Sequence, residues 1–283
     1  MPAAQAFSTY YNRKVKVSMK KKHIARMVAI ALGITAAVHF IPYAASLGVM
    51  QVYSSIHEKQ GLPERQGLTI KIPGGLATVE KDWYPLVLTY HAGKDFGRWA
   101  GAPGMELTVL YNFPAFGRVF DPRSPYYSSF YGAYVVYGAD GEQTMEELAS
   151  MAAEYDYKEL VLADLGLAEE DMAFDWKITG QEPDAEYAGI RGWTRTDAVV
   201  TTNGMAHRPD KFRRSYIQYG LPNYDVDESR QFQQVQLLGR VYGRAFEEYR
   251  CHIFFYILAK DERVMEQCDR EILGRSSVYK CKE

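Results

Sequence analysis

Residues Met27 to Met50, MVAIALGITAAVHFIPYAASLGVM, form an apolar run with no charged side chain in a sequence that is 24% charged overall. About 20 apolar residues, each rising about 1.5 Å along a helix, span the roughly 30 Å hydrocarbon core of a bilayer, so the run is expected to be a transmembrane helix. Its polar groups are cheap to bury. Thr35 and Ser46 can return their hydroxyls to the helix backbone, His39 can be neutral, and Pro42 is tolerated where neighbouring groups recover the freed carbonyl. Upstream lie Arg13, Lys14, Lys16, Lys20, Lys21, Lys22 and Arg26 with no acid among them, while Glu58, Lys59, Glu64 and Arg65 mix signs downstream. The positive-inside bias therefore assigns 1–26 to a cytoplasmic basic tail, 27–50 to a single pass through the cell membrane, and the remainder to the outside.

A cleaved signal peptide is the rival reading, and it leads to a secreted product. Met19 to Arg26, MKKKHIAR, has the form of a basic n-region, Met27 to Phe40 that of an h-region, and IPYAAS that of a c-region, with Met19 as a second candidate start. Ala44-Ala45-Ser46 or Ser46-Leu47-Gly48 supplies the small residues that cleavage needs. Apolarity nevertheless continues through Leu47, Val49, Met50 and Val52, which favours an uncleaved anchor. Ala25, Ala29, Gly33 and Ala37 stand four apart, a spacing that lets two membrane helices approach closely. The expected partners are thus the lipid bilayer and, through Ala29, Gly33 and Ala37, a second copy or another membrane protein.

Seven of the 33 Lys and Arg precede Met27, leaving 26 against 35 acids, so the exported part carries a formal charge of about −9. Nucleic acid is not expected as a partner. Three cysteines, Cys251, Cys268 and Cys281, allow at most one internal bridge and exclude a disulfide scaffold.

Gln51 to Gln66 is polar and irregular and reads as a stalk, with the folded domain over 67–283. Leu68 to Ile72 alternates and stops at Pro73-Gly74-Gly75, as a strand does. Tyr84 to Tyr90 and Met105 to Phe113 are further strands, separated by the glycine-bearing loop HAGKDFGRWAGAPG. Tyr126 to Tyr137 is apolar on both faces at period two, with Tyr127, Tyr131, Val135 and Tyr137 on one and Tyr126, Phe130, Tyr134 and Val136 on the other, which predicts a strand inside a covered sheet. Thr144 and Glu147 make a capping box for a helix to about Tyr155, with further helical turns through Leu165. Strands resume at Ala173 to Thr179 and Tyr187 to Thr202, and Asn203-Gly204 predicts a hairpin into Phe212 to Tyr219. Phe232 to Tyr242 and Tyr249 to Leu258 are long strands. Asp261 caps a closing helix whose stripe is Val264, Met265, Cys268 and Ile272 and which Gly274 ends. Cys268 on that stripe reads as a buried free thiol. The fold class is α+β, an antiparallel sheet with helices packed on its faces.

The chemistry-bearing signals are weak. G-x-S-x-G, H-E-x-x-H and C-x-x-C are absent, no metal-ligand motif occurs and no cofactor is expected. Ser277 and Lys280 form an S-x-x-K without its companion motifs. His91, Asp95 and Arg98, in the glycine-bearing loop, are the best group for acid–base work and would serve an exported hydrolase of cell-surface polymer. Tyr127 and Tyr131 could stack on sugar rings, since tyrosine pairs an apolar face with a polar tip. His207, Arg208, Lys211, Arg213 and Arg214 make a basic patch for an anionic polymer or lipid headgroups. Asn223, Asp225, Asp227 and Glu228 alternate like calcium ligands but lack the glycine of such a loop.

LTIKIPGGL resembles the opening strand of PsbP-like domains, and CHIFFYILAKDERVMEQCDREILGRSSV is similar to their closing strand, acidic cap and helix. Leu76 stands where those domains usually carry Trp. The resemblance implies an antiparallel sheet with helices on its faces and a non-catalytic accessory or binding role. The expected function is therefore a membrane-anchored extracytoplasmic domain that binds or supports a partner rather than an enzyme.

Overall fold

The structure, a computed structural model, describes residues 22–38, 67–72, 85–114, 122–139, 141–163, 167–204 and 233–280. The chain divides into two units, Met1–Gly48 and Val49–Glu283. In the first, residues 22–38 form helix α1, which covers the first half of the apolar run. Met27, Ile30, Leu32, Ile34 and Val38 are each more than half exposed, and Thr35 Oγ1 donates to the Ala31 carbonyl at 2.8 Å, returning its hydroxyl to the backbone. Among the described residues no helix is long and apolar enough to cross a membrane; residues 39–50 and the stalk lie outside them.

The second unit is α+β. Seven strands make one antiparallel sheet in the order β2-β3-β4-β8-β7-β6-β5: β2 (Pro85–Gly93), β3 (Glu106–Pro114), β4 (Phe130–Tyr137), β5 (Phe174–Tyr187), β6 (Ile190–Thr202), β7 (Val235–Phe246) and β8 (Cys251–Ala259). A separate two-stranded sheet joins the ends of this unit, with β1 (Leu68–Lys71) antiparallel to β9 (Ser277–Lys280). The α-helices among the described residues of this unit are α2 (Lys94–Trp99), α3 (Met145–Tyr155) and α4 (Glu262–Glu271).

Both faces of the large sheet are covered at its centre, which is why β4 and β8 are apolar on both sides. Phe130, Tyr134 and Val136 of β4 and Phe254, Tyr256 and Leu258 of β8 share one core with Leu148, Ala152 and Tyr155 of α3. Tyr131, Val135 and Tyr137 with Cys251, Ile253, Phe255 and Ile257 share the other, closed by Val264, Met265 and Cys268 of α4, by Ile272 just past its end, and by Leu68 and Ile70 of β1. Gly243 on β7 lets the first core close, since a Cβ there would meet Met145 Cγ and the Phe254 ring at 2.9 Å.

The helix start signals hold, whereas α4 stops at Glu271 with Ile272 as its C-cap, and Gly274, expected to end it, falls in the 3-10 turn Leu273–Arg275 that follows. Thr144 Oγ1 accepts from the Glu147 amide at 3.2 Å and Glu147 Oε2 accepts from the Thr144 amide at 2.7 Å, a reciprocal cap. Asp261 Oδ1 accepts from the Arg263 amide at 2.9 Å. After Tyr155, however, the helix widens into a π-helical segment, Asp156–Leu162.

Three expectations fail. The loop read after Tyr90 is strand and helix: β2 runs on through His91 to Gly93, and Phe96 and Trp99, three apart, fold the next residues into α2 so that their rings pack on Tyr155. The gap read between Thr179 and Tyr187 is strand, because β5 crosses it with bulges at Ile178/Gly180 and Glu182/Ala185. The hairpin turn is then Ala188-Gly189, both at positive φ. Asn203-Gly204 is not a hairpin turn onto β6, whose two edges are taken by β5 and β7 through Thr202; the expected strand Phe212 to Tyr219 lies outside the described residues. Asn203 serves instead as a clamp: its Oδ1 accepts from the Ala173 amide at 2.9 Å and its Nδ2 donates to the Asp171 carbonyl at 2.8 Å.

Candidate functional site

Among the described residues, those singled out in the sequence are not gathered into one place. Asp95 and Arg98 lie on α2, are both largely exposed, and pair with each other at 3.0 Å; His91 belongs to β2. Tyr131 is fully enclosed, so its ring packs in the core and offers no face to a sugar. Tyr127 is half-buried in the turn before β4, and its ring carries the Lys260 ammonium at 5.8 Å from the centroid. His207, Arg208, Lys211, Arg213, Arg214, Asn223, Asp225, Asp227 and Glu228 lie outside the described residues. Ser277 and Lys280 fall on strand β9. Cys251 and Cys268 are buried free thiols, the first pushed up to about 12 and the second also raised, in both cases first by burial. Cys281 lies outside the described residues.

The strongest polar constellation is elsewhere, where α4 packs over β7 and β8 and side chains of β6 reach toward it. The register sets Asp197 opposite Arg240 and Arg195 opposite Tyr242, so alternation delivers all four to the α4 face of the sheet. Glu266 and Asp269, three apart on α4, meet them from above. Arg240, only 5% exposed, donates Nε to Asp197 Oδ1 at 2.7 Å and Nη1 to Asp269 Oδ2 at 2.8 Å, and its Nη2 pairs with Glu266 Oε1 at 2.9 Å. Asp269 also accepts from the Tyr242 hydroxyl at 2.8 Å and, on its other oxygen, from the Tyr187 hydroxyl at 2.8 Å. Those two phenol rings are stacked with centroids 3.5 Å apart.

Burial alone would lower the pKa of Arg240, but hydrogen bonds to Asp197, Glu266 and Asp269 outweigh it and hold the guanidinium above the usual arginine range. Burial would raise Asp197, yet Arg195 and Arg240 keep its carboxylate below the usual range. Tyr187 and Tyr242 are both raised, first by burial and then by Asp269, so they are fixed as neutral donors. The network is closed by mutual hydrogen bonds and ion pairs, which suits a rigid support.

Beside it opens a cleft of about 360 Å³, lined by Glu186, Tyr187, Gly189, Glu266, Asp269 and Arg270 among others. Its rim mixes signs and its wall is the edge of the tyrosine stack. Among the described residues no group of three His, Cys, Asp or Glu side chains could hold a metal ion. A signal for this site was present in the sequence: Arg240 shares the parity of inward-facing Tyr242 in an apolar strand, where a charged residue demands a partner.

No family model matches the chain, and neither a curated protein nor a solved structure is detectably similar to it.

Proposed function

We propose that the chain is a membrane-anchored, extracytoplasmic binding or accessory domain, held at the cell surface by the segment 27–50 and presenting the cleft beside α4 to a partner. One observation carries the binding role. Arg240, Asp269, Tyr187 and Tyr242 are committed to one another, so the most polar place among the described residues is a preorganised wall with no activated nucleophile or base in it. The resemblance to PsbP-like domains points the same way. Its two segments, far apart in sequence, meet where β1 pairs with β9, and α4 packs beside that pair in the same core. The apolar run behind its basic tail supports the anchored location, and the exposed apolar side chains of α1 are consistent with a lipid environment.

Photo-crosslinking residues placed at Glu186 and Arg270, on the mouth of the cleft, test the proposal in intact cells. A discrete adduct at both positions, missing when the same residue is placed at Glu169 on the exposed turn before β5, is the expected result. Hydrolysis of a cell-surface polymer that disappears on His91→Ala would overturn it in favour of an exported hydrolase.

A further inference from the structure

Asp156 begins the π-helical segment and is 2% exposed, with its side chain turned into the core between α3 and the sheet. Its Oδ2 accepts from the Tyr134 hydroxyl at 2.9 Å, while its Oδ1 is sealed from solvent and has no hydrogen-bond partner. The groups that face it are phenols: Tyr134 from β4, Tyr256 from β8, stacked on Tyr134 with centroids 4.3 Å apart, and Tyr157 beside it, whose own hydroxyl is buried without a partner. Lys158, on the same segment, is held by Glu154 at 2.7 Å, and no described cation contributes to the titration of Asp156. An anion in such a place carries a large desolvation cost that one hydroxyl cannot offset, whereas the neutral acid does not.

We propose that Asp156 is a proton-operated latch: protonated, it lets the segment Asp156–Leu162 close onto the sheet, and loss of the proton loosens that segment. The geometry also shows where loosening travels. Tyr157 packs on Phe174 at the start of β5, with ring centroids 5.4 Å apart, and its ring lies against Gly204, where an added Cβ would stand 2.9 Å from it. The moving segment therefore bears on both strand ends that the Asn203 clamp joins. A π-helical stretch, whose backbone bonds run to the fifth residue as from Ala163 N to Lys158 O at 2.9 Å, is a place where helices commonly store such transitions.

Burial raises the carboxyl from 3.8 to about 7, the Tyr134 hydrogen bond pulling the other way, so the transition falls near neutral pH. The closed form holds the proton where the open form has already lost it. Closure is therefore fully favoured below about pH 4 and weakens as pH rises to about 7, beyond which both forms are ionised and the effect levels off.

Hydrogen exchange on the full chain in detergent, corrected for intrinsic exchange rates, tests this. Protection over residues 157–163 should fall by about 50-fold between pH 5 and pH 7 and then level, while protection over β8 stays constant. Asp156→Asn should abolish the pH dependence at 157–163. Tyr134→Phe, which removes the one bond to the anion, should extend the fall to higher pH. A pH course for either variant equal to that of the unsubstituted chain, or no fall in the latter, overturns the proposal.

Discussion

Replacing Arg240 by Met removes the only cation that reaches Asp269 among the described residues and keeps the bulk of the side chain. The three carboxylates do not suffer equally. Asp197 retains Arg195 at 2.6 Å, and Glu266, whose side chain is half exposed, can rehydrate. Asp269, with a side chain only 12% exposed, is left as an anion supported by two phenols. Breaking a buried pair typically costs 3–5 kcal/mol, and with most of the burden on one carboxylate the lower end applies, about 3 kcal/mol. That is roughly a 150-fold shift in the folding equilibrium, or a Tm lower by roughly 6–12 °C for a domain of about 200 residues. Urea unfolding of residues 67–283 followed by tryptophan fluorescence measures it, with an unchanged m value showing that only stability moved. Asp269→Asn in the Arg240→Met background should recover about 1 kcal/mol or more, because the unpaired charge is then gone. A loss below about 1 kcal/mol for Arg240→Met, or strictly additive costs in the double variant, would refute the claim that α4 is fastened to the sheet by this network.

Other consequences are sharper in kind than in size. Thr144→Ala removes one half of the capping box and should destabilise the domain by about 1 kcal/mol in the same urea assay. Gly243→Val drives a side chain into Met145 and the Phe254 ring and should cost at least 1–3 kcal/mol, read as a lowered Tm. Cys251 and Cys268 should resist alkylation at pH 8 in the folded protein and react fully in denaturant, as mass spectrometry would show, since burial raises both thiols. Gly33→Leu should abolish self-association of the full chain in detergent if α1 helices meet through Ala29, Gly33 and Ala37; unchanged sedimentation would dismiss that interface.

Helices α3 and α4 were legible to the residue at their N-caps, because Thr144 and Asp261 act on amides two or three positions away and need nothing from the rest of the fold. The double-faced strands β4 and β8 were legible too, since period two sorts Phe254, Tyr256 and Leu258 from Cys251, Ile253, Phe255 and Ile257 without knowing what covers either face. The first half of the edge strand β5 was legible as Ala173 to Thr179, but its continuation to Tyr187 was hidden. Its inner neighbours pay no heed to Gly180, Pro183 and Asp184, which on an edge cost little and blunt further pairing. Asn203-Gly204 misled because a side-chain clamp and a hairpin turn favour the same residues. The polar site depended on strand register and on α4 landing over β7 and β8, both of them non-local facts. Asp156 reads in the sequence as an ordinary helical acid, and only the packing of β4 and β8 against it makes it unusual.

The proposed anchoring requires segment 27–50 to place residues 67–283 outside the cytoplasm. Fusion of a reporter after Glu283 that is active only on the far side of the membrane, scored together with fractionation of the product, tests this directly. The account predicts reporter activity outside the cell and a full-length product that stays with the membrane through high salt and leaves it in detergent. A reporter active in the cytosol, or an intact product recovered in the soluble fraction, would contradict it.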